Sequence, residues 1–318
     1  MPKPFERALE LAERGRGTTH PNPVVGAVVA AGGEIVGEGW HERAGGPHAE
    51  VVALEAAGGR ARGADLYVTL EPCAHHGRTP PCVDAIVAAG IARVVVGAVD
   101  PNPKTDGQGF ARLRTAGVEV ELLEGEPAVR ARRQNEAWRT WISAGRPFVT
   151  YKAAVTLDGR VKVPDSRWVT GEESRRRVHE LRAASDAVAV GMGTVRADSP
   201  RLDARDVQAE RQPRRLAFGS GRLPEGSELE LRSGPLEEEL GQLADEAVQS
   251  VLLEGGPTLA TSFLRGGLVD KLLLFVAPTL AGSGPRWIDE LDAPFPVAGL
   301  EAEPIGGDVL LTGYIREP

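Results

Sequence analysis

The chain has 318 residues, of which 42% are apolar and 26% charged, and its formal net charge is −8. That length favours two domains over a single core, and no apolar run is long enough to span a bilayer, so no membrane contact is expected. The acidic balance argues against a broad nucleic-acid-binding face. Two cysteines are too few for a disulfide framework, and their motif-like placement points to a reducing, cytoplasmic setting.

Apolar residues at helical spacing (Phe5, Ala8, Leu9, Leu11, Ala12) predict a helix over residues 5–15, ended by Gly15 and Gly17. The N-terminus carries no apolar segment before a cleavage site, so no secretory signal is expected. After the turn-rich segment 18–23, two β-type runs, 24–30 and 34–40, flank Ala31-Gly32-Gly33 and predict a hairpin. A polar loop, 41–47, leads to a helical pattern from His48. A strand at 66–70 then runs into Glu71-Pro72-Cys73. Helix is expected over 82–89, strand over 93–99, helix over 110–116 and strand over 118–123. One charged helix, 128–143, closes this half. Strands alternating with helices imply an α/β sheet with helices on its faces.

The chemistry of this half lies in His48-Ala49-Glu50 and in residues 71–82, which hold both cysteines, with eight residues between them. One imidazole and two thiolates, His48, Cys73 and Cys82, make three zinc ligands and leave a fourth position for water. Glu50 then stands beside the metal as a proton carrier. Zinc makes water acidic, and the carboxylate moves the proton to the ring nitrogen and the leaving amine. H-x-E followed by P-C and a second Cys is the signature of zinc nucleobase deaminases. The alternative is a structural zinc site completed by His41, His75 or His76. The wide Cys spacing argues against it, because structural sites pair ligands at short spacing. The intervening loop carries His75, His76 and Arg78, basic groups that would meet an anionic substrate, most simply a phosphate.

A boundary falls near 143–147, where a helix ends and a Gly and a Pro intervene. Beyond it, strands are predicted at 148–156, 186–190, 214–219, 251–254, 271–277 and 309–315. Helices are predicted at 172–184, 237–248 and 259–265, and the Pro-, Gly- and Arg-rich stretch 199–226 also has loop character. This half is again α/β. In Leu253-Glu254-Gly255-Gly256-Pro257-Thr258-Leu259 a strand ends in a Gly-Gly turn and a helix starts at once. Such a helix start can hold a phosphate on its backbone N–H groups.

H-P-N-P-x-V-G at 20–26, H-A-E at 48–50, T-L-E-P-C-x-H-x-G-x-T-P-P-C at 69–82 and D-P-N-P at 100–103 resemble the bifunctional riboflavin-biosynthesis deaminase/reductase family. K-x-x-x-[ST]-L-D-G-[RK] at 152–160, S-x-W-[IV]-[ST] at 166–170, G-x-x-T-V-x-A-D at 191–198, E-G-G-x-T-L at 254–259 and L-V-D at 268–270 resemble its reductase half. The resemblance implies a cytidine-deaminase-like α/β domain over residues 1–144 and a dihydrofolate-reductase-like α/β domain over residues 145–318. The implied reactions are zinc-dependent deamination of 2,5-diamino-6-ribosylamino-4(3H)-pyrimidinone 5′-phosphate and NADPH-dependent reduction of its ribosyl group. It assigns zinc to His48, Cys73 and Cys82, and the proton shuttle to Glu50. Asn22, His75 and Arg78 would meet substrate in the first half, and Ser166, Arg182, Leu202, Arg205 and Glu254 in the second. NADPH would meet Ala154, Trp168, Thr194, Asp198, Ser220 and the run Gly256, Pro257, Thr258, Leu259, Ala260, Thr261 and Ser262. Arg182 and Arg205 are expected as cationic partners of the 5′-phosphate. The expected partner is a phosphorylated pyrimidine, not nucleic acid, and the protein is expected to be a homo-oligomer.

Gly219 stands where the family has Asp before Ser220, and the connections at 161–165 and 203–250 are short. The alternative for this half is therefore a degenerate reductase-like domain beside an active deaminase. No side chain is nominated by sequence as the reductase proton donor.

Overall fold

The computed structural model describes residues 3–75, 80–102, 105, 107–209 and 211–318. It divides into two compact units, Met1–Ala144 with Pro318, and Gly145–Glu317.

The first unit runs α1 (Lys3–Glu13), β1 (Gly26–Ala31), β2 (Glu34–Trp40), α2 (Ala49–Ala57), β3 (Asp65–Val68), α3 (Cys82–Ala89), β4 (Arg93–Val96), α4 (Gln108–Thr115), β5 (Glu119–Leu122), α5 (Glu126–Gln134) and α6 (Glu136–Ala144). Its sheet has the order β2-β1-β3-β4-β5. The β1–β2 and β1–β3 pairs are antiparallel, and β3, β4 and β5 run parallel. Side chains alternate between the sheet faces. Ala27, Val29, Leu66, Val68, Val94 and Val96 pack with residues of α2, α3 and α4. Val28, Ala30, Tyr67 and Val95 pack on the opposite side with Phe5, Ala8 and Leu11 of α1 and Ala131 of α5. The result is three layers, with the sheet in the middle.

The predicted hairpin is present, closed by Gly32 and Gly33 with φ of 60° and 87°, a backbone that favours glycine. The expected single helix over 128–143 is two helices. Asn135 ends α5, where its Oδ1 accepts from the Val24 amide at 2.9 Å and its Nδ2 donates to the Val24 carbonyl at 2.8 Å. That buried side chain supplies backbone-like pairing to the strand entrance, and the helix axis breaks there.

The second unit runs β6 (Phe148–Thr156), α7 (Glu172–Ala184), β7 (Ala187–Gly191), α8 (Met192–Asp198), β8 (Arg214–Phe218), β9 (Glu230–Arg232), α9 (Leu236–Asp245), β10 (Ser250–Leu253), α10 (Pro257–Arg265), β11 (Lys271–Ala277), β12 (Ala298–Ile305) and β13 (Asp308–Tyr314). The sheet order is β12-β13-β11-β6-β10-β7-β8-β9. From β11 through β9 neighbours run parallel, while β13 pairs antiparallel with β11 and β12. One face packs on Leu240 and Leu243 of α9 and Ala260 and Phe263 of α10. The other meets Val195 of α8 and Val178 of α7. Three elements here lie outside the expected set: α8, β9 and β12. Within 199–226, β8 is an interior strand of the sheet and Leu202 and Ala204 are buried, so that stretch is not a continuous loop. The L-V-D match ends in Asp270, whose carboxylate takes two bonds from Arg146, at 2.6 and 2.7 Å, and one from the Val149 amide at 2.9 Å. It anchors the start of β6.

Candidate active sites

In the first unit the β3–α3 connection and the start of α2 converge. Residues on the carboxyl side of β3 reach Cys73, and Cys82 is the first residue of α3. His48 directly precedes the first residue of α2, in the N-cap position. His48 Nδ1 lies 3.1 Å from Cys82 Sγ and 3.5 Å from Cys73 Sγ, and the two sulfurs are 3.5 Å apart. Ligand atoms on a tetrahedral zinc at its usual bond lengths lie about 3.5–3.8 Å from one another. The triangle fits zinc with a small relaxation, and the Cys₂His donor set is one zinc favours. Among the described residues these three form the one candidate ligand group.

The charges agree with that fit. Cys73 is drawn well below the ordinary thiol value by the hydrogen bond from Cys82, against burial, with His48 assisting. Cys82 is pushed up by the same hydrogen bond and by burial. A bound cation would favour the thiolate form of both. Glu50, in the first turn of α2, is 3% exposed and hydrogen-bonded to Cys82. Burial raises its carboxyl pKa, and His48 opposes the rise.

A cavity of about 450 Å³ opens over this group. Asn22 and His75 line it, as expected, and Arg78 and His76 lie outside the described residues. His41 is no metal ligand: Nδ1 lies 2.9 Å from the Pro47 carbonyl and Nε2 lies 3.1 Å from Asn22 Nδ2. Asp100 and Asn102 of the D-P-N-P segment make a turn, the Asn102 amide donating to Asp100 Oδ1 at 2.8 Å, and both line the cavity. Glu71 holds that turn. Its buried carboxylate accepts from the amides of Asp100 (3.3 Å), Gly107 (3.2 Å) and Gly109 (3.1 Å). A Cβ on Gly109 would lie 2.2 Å from the Pro72 carbonyl, so glycine is required there.

Sequence reasoning missed the apolar wall. Trp138, Trp141 and Ile142 of α6 line the same cavity. The signal was the pair of tryptophans in a short amphipathic helix, read instead as part of a longer charged one.

In the second unit a cavity of about 870 Å³ lies over the carboxyl ends of β10, β7 and β8, where open parallel sheets bind ligands. Ala154, Trp168, Thr194, Asp198, Ser220, Gly256, Pro257, Thr258, Leu259 and Ser262 line it, as do Arg182, Arg205 and Glu254. Four expected residues do not. Ala260 faces the sheet core, and Thr261 is buried with its Oγ1 accepting from the Asp289 amide at 2.8 Å, because both sit on the inward face of α10. Leu202 packs among Val188, Val190 and Val195. Ser166 is exposed, and its Oγ donates to the Trp168 carbonyl at 2.7 Å.

Glu254 directly follows β10 and lines this cavity. Its carboxylate accepts from Arg182 at 2.6 and 3.1 Å and from Lys152 at 3.2 Å. Burial alone would raise its pKa, but Lys152 and Arg182 together hold it at about 2. Arg182 also donates to the Asp203 carbonyl at 3.1 Å, and it lines the cavity. Arg205 is more exposed and pairs with Asp203 at 2.5 Å. Lys152 was passed over as part of a motif. On β6 it shares a face with Ala154, two residues on. Trp168 stands at the rim with the guanidinium groups of Arg167 and Arg175 5.0 and 5.3 Å from its ring centre.

The cofactor fit is chemical. Gly255 and Gly256 lead into the nine-residue α10, whose first-turn N–H groups suit a diphosphate. The cavity falls in the usual range for cofactor sites.

A family model for the cytidine and deoxycytidylate deaminase zinc-binding region matches residues 3–98, and one for the RibD C-terminal domain matches residues 147–311. The chain is 41% identical over 341 residues to the riboflavin biosynthesis protein RibD of Aquifex aeolicus, covering 96% of this chain and 95% of that protein. It is 42% identical over 325 residues to RibD of Escherichia coli, covering 88% of each. Among solved structures, Acinetobacter baumannii RibD matches with a TM-score of 0.84 at 37% identity, over 98% of this chain and 97% of that one. A diaminohydroxyphosphoribosylaminopyrimidine deaminase/5-amino-6-(5-phosphoribosylamino)uracil reductase of Thermotoga maritima matches with a TM-score of 0.82 at 35% identity, over 98% and 97%. The chain therefore belongs to the RibD family, bifunctional enzymes of riboflavin biosynthesis that join a zinc deaminase to an NADPH-dependent reductase.

Proposed function

We propose that the first unit deaminates 2,5-diamino-6-ribosylamino-4(3H)-pyrimidinone 5′-phosphate and that the second reduces the ribosyl group of the product to a ribityl chain. The observation that carries the first step is the His48–Cys73–Cys82 triangle with the buried Glu50 beside it. When bound, zinc supplies a Lewis acid that makes water a nucleophile near neutral pH. Glu50 holds the proton that the water gives up. It would give that proton to the ring nitrogen and then carry a second, from the new hydroxyl, to the departing amine, so that water enters and ammonia leaves. Burial raises the proton affinity of Glu50, which suits a group that must both accept and release. The apolar wall from α6 offers a surface for the flat ring, and Asn22, Asp100 and Asn102 offer polar contacts at the same cavity.

In the second unit, NADPH supplies a hydride when bound. The first turn of α10 and the lining residues Thr194, Asp198 and Ser220 hold the cofactor and exclude water. Lys152, beside Ala154 on β6, is the group we assign to the accompanying proton, and its Nζ is held 3.2 Å from Glu254 Oε2. The pair stands intact at the cavity, which favours a working reductase over a degenerate one. A site built on two free thiols supports a cytoplasmic setting, where thiols stay reduced.

The test is a paired assay of the full chain on the diaminopyrimidinone phosphate. Ammonia release without NADPH, followed by NADPH oxidation when the cofactor is added, is expected. Ammonia release with no NADPH oxidation would remove the reductase half of the proposal.

A further inference from the structure

His41 is buried, 4% exposed, and directly follows β2, where its amide donates to the Val25 carbonyl at 2.9 Å. Both ring nitrogens are committed. Nδ1 is 2.9 Å from the Pro47 carbonyl, and a carbonyl only accepts, so Nδ1 carries the proton. Nε2 is 3.1 Å from Asn22 Nδ2, and a carboxamide nitrogen only donates, so Nε2 is the acceptor. The Nδ1–H tautomer satisfies both contacts at once. Turning the Asn22 amide over would set two lone pairs against each other across that distance. Asn22 Oδ1 then has no hydrogen-bond partner among the described residues, and Asn22 lines the cavity together with Glu50 and Cys73.

From this geometry we infer that His41 is a positioning residue of the deaminase: it fixes the Asn22 carboxamide so that Oδ1 is presented as an acceptor to an N–H or O–H of the substrate. The inference rests on the deaminase reading above. The substrate is donor-rich, with two exocyclic amines and the ribose hydroxyls. A freely rotating carboxamide would exchange its donor and acceptor ends, whereas one held through an Nδ2 hydrogen keeps Oδ1 in one place as an acceptor. His41 contributes to binding and not to the chemical step, because the proton is handled by Glu50. The ring of His41 also packs edge-on against His48, with centres 5.4 Å apart at 81°, and its bond to Pro47 braces the residue before that ligand. A purely structural role is therefore the competing account, and the two differ in what they do to zinc and to KM.

The experiment measures ammonia release from the diaminopyrimidinone phosphate, with zinc content, for the full-length wild type, His41→Phe, His41→Gln, Asn22→Ala and the double variant His41→Phe/Asn22→Ala. Phe keeps the ring and removes both nitrogens. Gln keeps a donor for Pro47 and an acceptor for Asn22. Loss of one positioned hydrogen bond predicts a KM rise of about ten-fold in His41→Phe, with kcat within about three-fold of wild type and full zinc. Asn22→Ala is expected to match it, the double variant to add no more, and His41→Gln to recover most of the affinity. An unchanged KM in His41→Phe, additive effects in the double variant, or zinc lost in His41→Phe would each overturn the inference. Absence of ammonia release in the wild type would instead overturn the deaminase reading.

Discussion

Glu50 and Glu254 are both buried carboxylates, and their surroundings push them in opposite directions. Glu50 has burial as its main influence and is raised, while Glu254 sits between two cations and is held at about 2. The first is suited to carry a proton and the second to stay charged. Glu50→Gln should lower ammonia release by at least about a thousand-fold while zinc content, read by metal analysis, stays at the wild-type level. Surviving deamination would remove Glu50 from the mechanism. For Glu254, the lowered pKa means that its stabilising contribution is complete above the ordinary value of 4.5 and is lost as pH falls toward about 2. Glu254→Gln leaves Lys152 and Arg182 facing each other with no carboxylate. It should cost about 3 kcal/mol, or roughly 6–12 °C in the Tm of the second unit. The gap between wild type and variant should close between pH 4.5 and about 2, as thermal unfolding across that range would show. A constant gap would contradict the ion-pair account.

At the scale of elements, α2 carries His48 and Glu50, and its position depends on glycines in β2. A Cβ on Gly39 would lie 2.4 Å from the Ala49 carbonyl and 2.5 Å from the Ala53 amide nitrogen, so the helix backbone rests directly on the strand. Gly39→Ala must lift the start of α2. The expected cost is about 1–3 kcal/mol, with ammonia release impaired and NADPH oxidation on the deaminated product unchanged. Equal loss of both activities would point to global unfolding instead. The same scale explains where the pattern of residues misled. An apolar run buried on both faces located β1, and alternation or helical spacing located β2, α3, β6, α7 and β11, which bury chiefly one face. β12 is almost wholly exposed and carries Gly299 and Pro304, which read as loop although the edge of a sheet tolerates them. α8 begins Met192-Gly193-Thr194, and glycine there hides a helix that the end of β7 imposes. The break at Asn135 has no local signal, since its partner Val24 is 111 residues away.

Across the whole molecule, the zinc-ligand group lies in the first unit and the residues fitted to NADPH lie in the second. Chelation of zinc should therefore abolish ammonia release and leave NADPH oxidation on the deaminated product intact. Loss of both on chelation would tie the second activity to the metal. The sequence by itself pointed to the His48, Cys73 and Cys82 group, to Glu50 beside it and to the α/β class of both halves, through donor chemistry, residue spacing and burial periodicity, all local to the chain. Most of the second cavity's lining came from the resemblance of its motifs to a known family. Only the tertiary structure decided that Ala260 and Thr261 turn inward, that Arg182 is engaged by Glu254, and that α6 walls the first cavity. It also joined His41 to Asn22. Each of these depends on which distant groups meet across a sheet or a loop, and spacing along the chain carries no record of that.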